Sequence, residues 1–194
     1  MNFRTFASSA AALVAMTGMM GSAQAAFTGA YAADQWTTSV TNGGNGSAAI
    51  ALDGSTLTLT SSNFEPFTDL IASDVLHSIT LHGNVTVSFD WAYSSADENG
   101  STGDPFGYSL NGVFTQLSQD DSWDSQSGHV ASLVLHSGDV LSFVARSTDS
   151  IWGASTTTVS GFTVTPTVPE PESAALALVG LGVIAARMLR RQAR

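Results

Sequence analysis

Seven consecutive residues, Val85-Thr86-Val87-Ser88-Phe89-Asp90-Trp91, alternate strictly between an apolar face (Val85, Val87, Phe89, Trp91) and a polar one (Thr86, Ser88, Asp90). Period two is the signature of a half-buried strand, and such a strand needs a second layer against its apolar face. Turn chemistry carries the same message along the chain. Asp53-Gly54 separates residues 48–52 from 55–60, and Asn111-Gly112 separates 107–110 from 113–117. Both pairs read as two-residue hairpins, because Asp, Asn and Gly accept positive φ. His82-Gly83-Asn84 and Ser137-Gly138-Asp139 make similar tight connections ahead of 85–91 and 140–146. Adding 75–81, 129–135 and 156–165 gives about nine short strands and no amphipathic helix. The expected fold is all-β, an antiparallel two-sheet sandwich of jelly-roll type over residues 26–165.

The two ends of the chain are built differently. Arg4 precedes an apolar run over residues 10–20, and Ala23-Gln24-Ala25 closes the segment. Small residues at Ala23 and Ala25 suit signal peptidase, so residues 1–25 read as a signal peptide cleaved after Ala25. At the other end, residues 166–173 form a proline-rich stalk containing Val168-Pro169-Glu170-Pro171. Residues 174–194 then give an apolar helix and an arginine-rich tail, with Arg187, Arg190, Arg191 and Arg194 in the last eight positions. By the positive-inside rule those charges hold the tail in the cytoplasm and place the central domain across the membrane. Thirteen apolar residues rise only about 20 Å against a hydrocarbon core of about 30 Å, which suits a temporary anchor.

Val168-Pro169-Glu170-Pro171, a short Ala/Leu/Gly/Val helix and a terminal arginine cluster, taken in that order, resemble the PEP-CTERM sorting signal of Gram-negative bacteria. The resemblance implies recognition by an exosortase, a membrane transpeptidase-like enzyme that processes near the Pro-Glu-Pro. It also implies an exported protein that ends at the cell surface or in the extracellular, exopolysaccharide-rich biofilm matrix. Residues 87–117, with Phe89-Asp90-Trp91, an Asp-rich loop, Asp104-Pro105-Phe106-Gly107-Tyr108 and Asn111-Gly112, resemble a segment recurring in such proteins. That second likeness implies a β-rich extracellular context and no catalytic residues.

Composition narrows the chemistry of the central domain. The 194 residues contain no cysteine and no lysine, which excludes disulfides, Cys-ligated metals, thiol catalysis, a Walker-type phosphate loop and a lysine Schiff base. Leaving aside Glu170 and Glu172, fourteen of the sixteen acidic residues lie in residues 26–167, against the single base Arg146. Nothing there could replace the counterions of a phosphate backbone, so nucleic acid is excluded as a partner.

The acids cluster in two loops, Asp97-Glu98-Asn99-Gly100-Ser101-Thr102-Gly103-Asp104 and Asp120-Asp121-Ser122-Trp123-Asp124. The first sets Asp97, Asn99, Ser101 and Asp104 at spacings that could wrap a hard cation, and calcium is the one cofactor this chemistry points to. The bland alternative is a solvated turn, since Asp, Asn and Gly favour turns for conformational reasons alone. Position twelve of the loop is Tyr108, so it is no EF-hand.

Catalytic motifs are missing from the sequence. There is no Gly-x-Ser-x-Gly elbow, and His77, His82, His129 and His136 show no metalloprotease spacing. His77 and His82 would face opposite sides of a single strand. Trp36, Trp123 and Trp152 stand among polar residues, where exposed indoles beside carboxylates would stack on sugar rings. Trp123 and Trp152 are the candidate glycan-binding residues, with plugging of the core ends as the alternative. The reading is therefore a non-catalytic exported protein associating with exopolysaccharide. A secreted carbohydrate-active hydrolase is the alternative, requiring two opposed carboxylates.

Overall fold

The computed structural model describes residues 24–64 and 70–167. Most of the signal segment and all of residues 168–194, which carry the Pro-Glu-Pro motif, the apolar helix and the arginines, lie outside the described residues. Among the described residues no helix is long and apolar enough to cross a membrane.

Among the described residues, eleven strands make two antiparallel sheets. They are β1 (Gln24–Ala25), β2 (Thr37–Val40), β3 (Ser47–Ile50), β4 (Thr56–Thr60), β5 (Ser73–Thr80), β6 (Val85–Ser95), β7 (Phe106–Leu110), β8 (Val113–Gln116), β9 (Gln126–Leu135), β10 (Val140–Ser147) and β11 (Ser155–Pro166). One sheet has the order β3-β4-β11-β6-β9 with β1 also on β11, and the other has the order β2-β5-β10-β7-β8. The sandwich expected from the alternating pattern is thus present, with β1 and β2 as additions. β2 is short and mostly exposed, so its Thr37-Thr38-Ser39 carries no alternation by which to recognise it.

The alternation of residues 85–91 runs on to Tyr93, which puts Val85, Val87, Phe89, Trp91 and Tyr93 on the inner face. From the opposite sheet come Val75, His77 and Ile79 of β5 and Leu141, Phe143 and Ala145 of β10. Between the sheets Phe27 stacks on Phe162 at 4.6 Å, and Phe143 meets Phe89 edge-on at 5.0 Å. Aromatic packing of this kind adds about 0.5–1.5 kcal/mol per pair beyond area burial.

On β11 the inward set changes from odd to even residues, Val159 giving way to Phe162 and Val164. The ladder to β6 slips by one residue between Ser160 and Thr163, a bulge in which Gly161 sits at φ +57°. One extra residue re-aims the side chains and so keeps both halves of a long strand facing the core.

Asn111-Gly112 forms the expected two-residue hairpin, with Leu110 paired to Val113 and positive φ at both turn residues. The other hairpin is wider than the Asp53-Gly54 signal indicated. Ile50 pairs with Leu57, Ala51 N–H donates to Thr56 O, and Asp53 accepts from the Ser55 amide and hydroxyl. The Asp side chain takes up the donors that a tighter turn would have paired.

Trp36 overturns its polar surroundings in sequence. It is buried, donates its indole N–H to Tyr31 O at 2.9 Å, and packs on His77 and Phe143. A single large apolar residue placed just before an edge strand closes the open end of the core.

Candidate functional site

The two acidic loops and both candidate indoles meet at one end of the sandwich. Trp123 Nε1 donates to Glu98 O at 3.0 Å, and Glu98 N–H donates to Trp152 O at 3.2 Å. The main chain of one exposed glutamate therefore holds an indole residue on each side of it. Trp123 is 68% exposed and Trp152 40%. No local spacing connects residues 98, 123 and 152, which meet only where the two acidic loops and the 148–154 loop pack at one end of the fold.

This end of the fold is locally strained. Asp121, Ser150 and Trp152 adopt φ of +55°, +59° and +63°. For a residue as bulky as Trp, the left-handed region costs of order 1–3 kcal/mol and persists only where surrounding contacts demand it. Gly153 follows at φ +125°, and a Cβ there would collide with the Ala96 carbonyl and lie 2.6 Å from the Asp97 amide. Close packing between the 148–154 loop and the first acidic loop thus depends on that glycine.

Beneath the indoles the acidic loop turns inward. Asp104 is fully buried and Asp97 is 3% exposed. Asp104 Oδ2 accepts from the Ser61 hydroxyl at 2.9 Å, while Ser61 Oγ accepts from Ser155 N–H at 2.8 Å. The Tyr93 hydroxyl donates to Asp104 O at 2.8 Å. Asp97 Oδ1 accepts from Asn99 N–H, and the Asp97 carboxyl carbon would lie 2.7 Å from a Cβ at Gly103. Three buried oxygens in this group make no hydrogen bond of good geometry, Asp97 Oδ2, Asp104 Oδ1 and Ser155 Oγ, with Ser147 beside the Asp104 carboxyl and Tyr93 beside Ser155. Burial pushes the Asp104 carboxyl up to about 7 and raises that of Asp97, and mainly burial takes Tyr93 to about 12.

Of the four residues expected to wrap a cation, the fold brings Asp97 and Asp104 into this group and uses Ser101 elsewhere. The Ser101 hydroxyl donates to Gln119 O and accepts from Ser122 N–H, so it ties the two acidic loops together. Asn99 is exposed and contributes its main-chain N–H to Asp97. Among the described residues, no three His, Asp or Glu groups converge to hold a metal ion. Ser61, Tyr93 and Ser155 lie outside the acidic loop, and no local spacing marked them.

The outer face of the second sheet offers a different surface. Val144 and Ser142 of β10 point away from the core yet are buried, with the Ser78 and Ser142 hydroxyls 2.7 Å apart. Arg146 forms a two-point pair with Asp74 at 2.7 and 3.0 Å and lies 4.4 Å over the Phe114 ring. A recess of about 360 Å³ opens at the far end of this face, lined in part by Gln35, Thr37, Ser78, Thr80, His82 and Val140. It contains no carboxylate and no indole.

Comparison with known proteins identifies the C-terminal segment. Residues 167–192 match the PEP-CTERM protein-sorting motif, which marks the chain as exported, membrane-transiting and processed by an exosortase. No curated protein matches the chain. Similar solved structures include TmCBM61 in complex with beta-1,4-galactotriose, at 9% identity and TM-score 0.38, covering 68% of this chain and 88% of that one. The family 11 carbohydrate-binding module of a cellulosomal cellulase of Clostridium thermocellum matches at 11% identity and TM-score 0.31, covering 70% and 90%. A CBM4 structure matches at 13% and 0.33, covering 74% and 95%.

Proposed function

We propose that this chain is a non-catalytic surface or biofilm-matrix protein that holds exopolysaccharide at the loop end of its sandwich, with Trp123 and Trp152 as the sugar-stacking residues. The observation that carries this reading is the pair of exposed indole residues fixed to opposite sides of the Glu98 main chain. Such rings offer apolar faces to a pyranose, and the exposed Glu98, Asp121 and Asp124 side chains around them accept hydrogen bonds from its hydroxyls.

The rest of the chain serves delivery. Signal peptidase removes residues 1–25 after Ala25, and residues 174–194 anchor the intermediate in the inner membrane with the sandwich in the periplasm. Exosortase then acts at Val168-Pro169-Glu170-Pro171, guided by Arg187, Arg190 and Arg191, and releases the domain to the surface or matrix. The strand orders of the two sheets support the jelly-roll form of the sandwich.

A hydrolase would need a carboxyl of raised pKa facing the substrate. The carboxyl that is strongly raised here, Asp104, is fully buried, which keeps it from any sugar ring and supports a structural role. Affinity electrophoresis in gels containing the host exopolysaccharide tests the proposal. Retarded migration without release of reducing sugar is expected. Unretarded migration overturns the binding reading, and sugar release overturns the non-catalytic one.

A further inference from the structure

Two buried carboxylates lie together at the loop end with no cation to meet them. Arg146 is the one base in residues 26–167, and Asp74 already holds it. Buried charge without a partner is costly, by several kcal/mol per ion, so such groups are paired, neutralised or bound to a metal. The orphaned atoms of this group are all oxygens, two carboxylate and one hydroxyl. A hydrogen-bond chain links two of their owners, from Ser155 N–H to Ser61 Oγ and from the Ser61 hydroxyl to Asp104 Oδ2. The third, Asp97, packs against Gly103, the residue preceding Asp104, where a side chain would overlap its carboxylate.

We infer that Asp97 Oδ2, Asp104 Oδ1 and Ser155 Oγ are the protein ligands of a divalent cation of calcium type, seated beneath the Glu98 loop. Hard cations take six to eight oxygens, so main-chain carbonyls and water would complete the shell. The other carboxylate oxygens are already held, Asp104 Oδ2 by Ser61 and Asp97 Oδ1 by Asn99, and this orients the free ones. Asn99 and Ser101 are not ligands. The site stands apart from the glycan reading: it rests on different side chains, and its role is to fix the loops.

The test is thermal melting of the full chain in millimolar calcium against sodium chloride of equal ionic strength, which removes simple screening. Calcium at about 100-fold over its Kd should raise Tm by about 5–10 °C. Asp97→Asn and Asp104→Asn should abolish that rise, while Asp121→Asn, on the exposed neighbouring loop, should keep it. Terbium luminescence sensitised by the nearby indoles reads binding directly on the wild type, whether or not the variants fold. Equal melting curves in the two salts, or a calcium response retained in Asp104→Asn, overturns the inference and leaves the carboxyls buried as neutral acids.

Discussion

Trp36 lies flat on His77, the rings 5.1 Å apart and within 2° of parallel. His77 Nδ1 is 2.9 Å from Thr38 Oγ1, and its Nε2 is buried without a partner. Burial lowers the imidazole from its ordinary value near 6.5 to about 4, so the folded protein holds it neutral.

The sign of the pH effect follows. Between about pH 6.5 and 4 the unfolded chain protonates this histidine and the folded one does not, so the histidine's contribution to stability falls as pH is lowered through that window. The loss should approach about 3 kcal/mol below pH 4 and be absent above pH 7. Denaturant melts from pH 6.5 to 5 should differ in slope between the wild type and His77→Phe, because the raised Asp104 carboxyl acts with the opposite sign in both proteins and cancels in the comparison. An unchanged slope in that variant would assign the effect to other groups.

Trp123→Ala should weaken retention by exopolysaccharide while costing less than about 1 kcal/mol of stability, because most of this side chain is in solvent. Trp152→Ala should weaken retention too. A core plug would behave differently, losing about 3–5 kcal/mol on truncation. Melts and affinity electrophoresis on the same samples separate the two outcomes, and large destabilisation with unchanged retention counts against the indole platform.

Gly153→Ala should destabilise by about 2 kcal/mol or more, since φ is +125° and the added carbon meets main chain that cannot swing aside. Gly83→Ala, where a Cβ meets nothing within 4 Å and the backbone is not left-handed, should be close to neutral. Paired urea titrations measure both. Equal effects would mean that the contact with Ala96 and Asp97 does not matter.

On the proposed processing, protein recovered from the native host surface should begin at Ala26, after signal-peptide cleavage, and lack the arginine tail carried by the matched residues 167–192 and the positions after them. Intact-mass spectrometry checks this in one measurement. A surface form retaining Arg194 contradicts exosortase processing.

The sandwich was legible because its long strands carry their burial in their sequence: Val85 to Trp91 alternate, and nearly the same residues line the core. β2 was not legible, because a short edge strand with both faces wet has no pattern. Trp36 misled for a related reason, since polar neighbours describe only the strand, not what lies below its end. At the loop end, Asp97 and Asp104 stand seven residues apart in one acidic loop, so their nearness could be read from the sequence. The nearness of Ser155 could not, because it is fifty-one residues away from Asp104 and reaches it only through Ser61. The same limit hid the contact of Trp123 and Trp152 through Glu98.

The sorting segment follows directly on β11, which ends at Pro166. β11 is an interior strand of its sheet, hydrogen-bonded to β6 from Ser155 to Pro166 and, on its other edge, to β4 from Thr156 to Ser160. Tension applied through the sorting segment therefore acts along a strand held by β6 over its length and by β4 over its first half, and the antiparallel rungs lie across the line of pull. The rungs must yield together in shear; they do not unzip one by one. Before exosortase processing, a pull on the sorting segment therefore enters the fold through β11, the longest strand among the described residues.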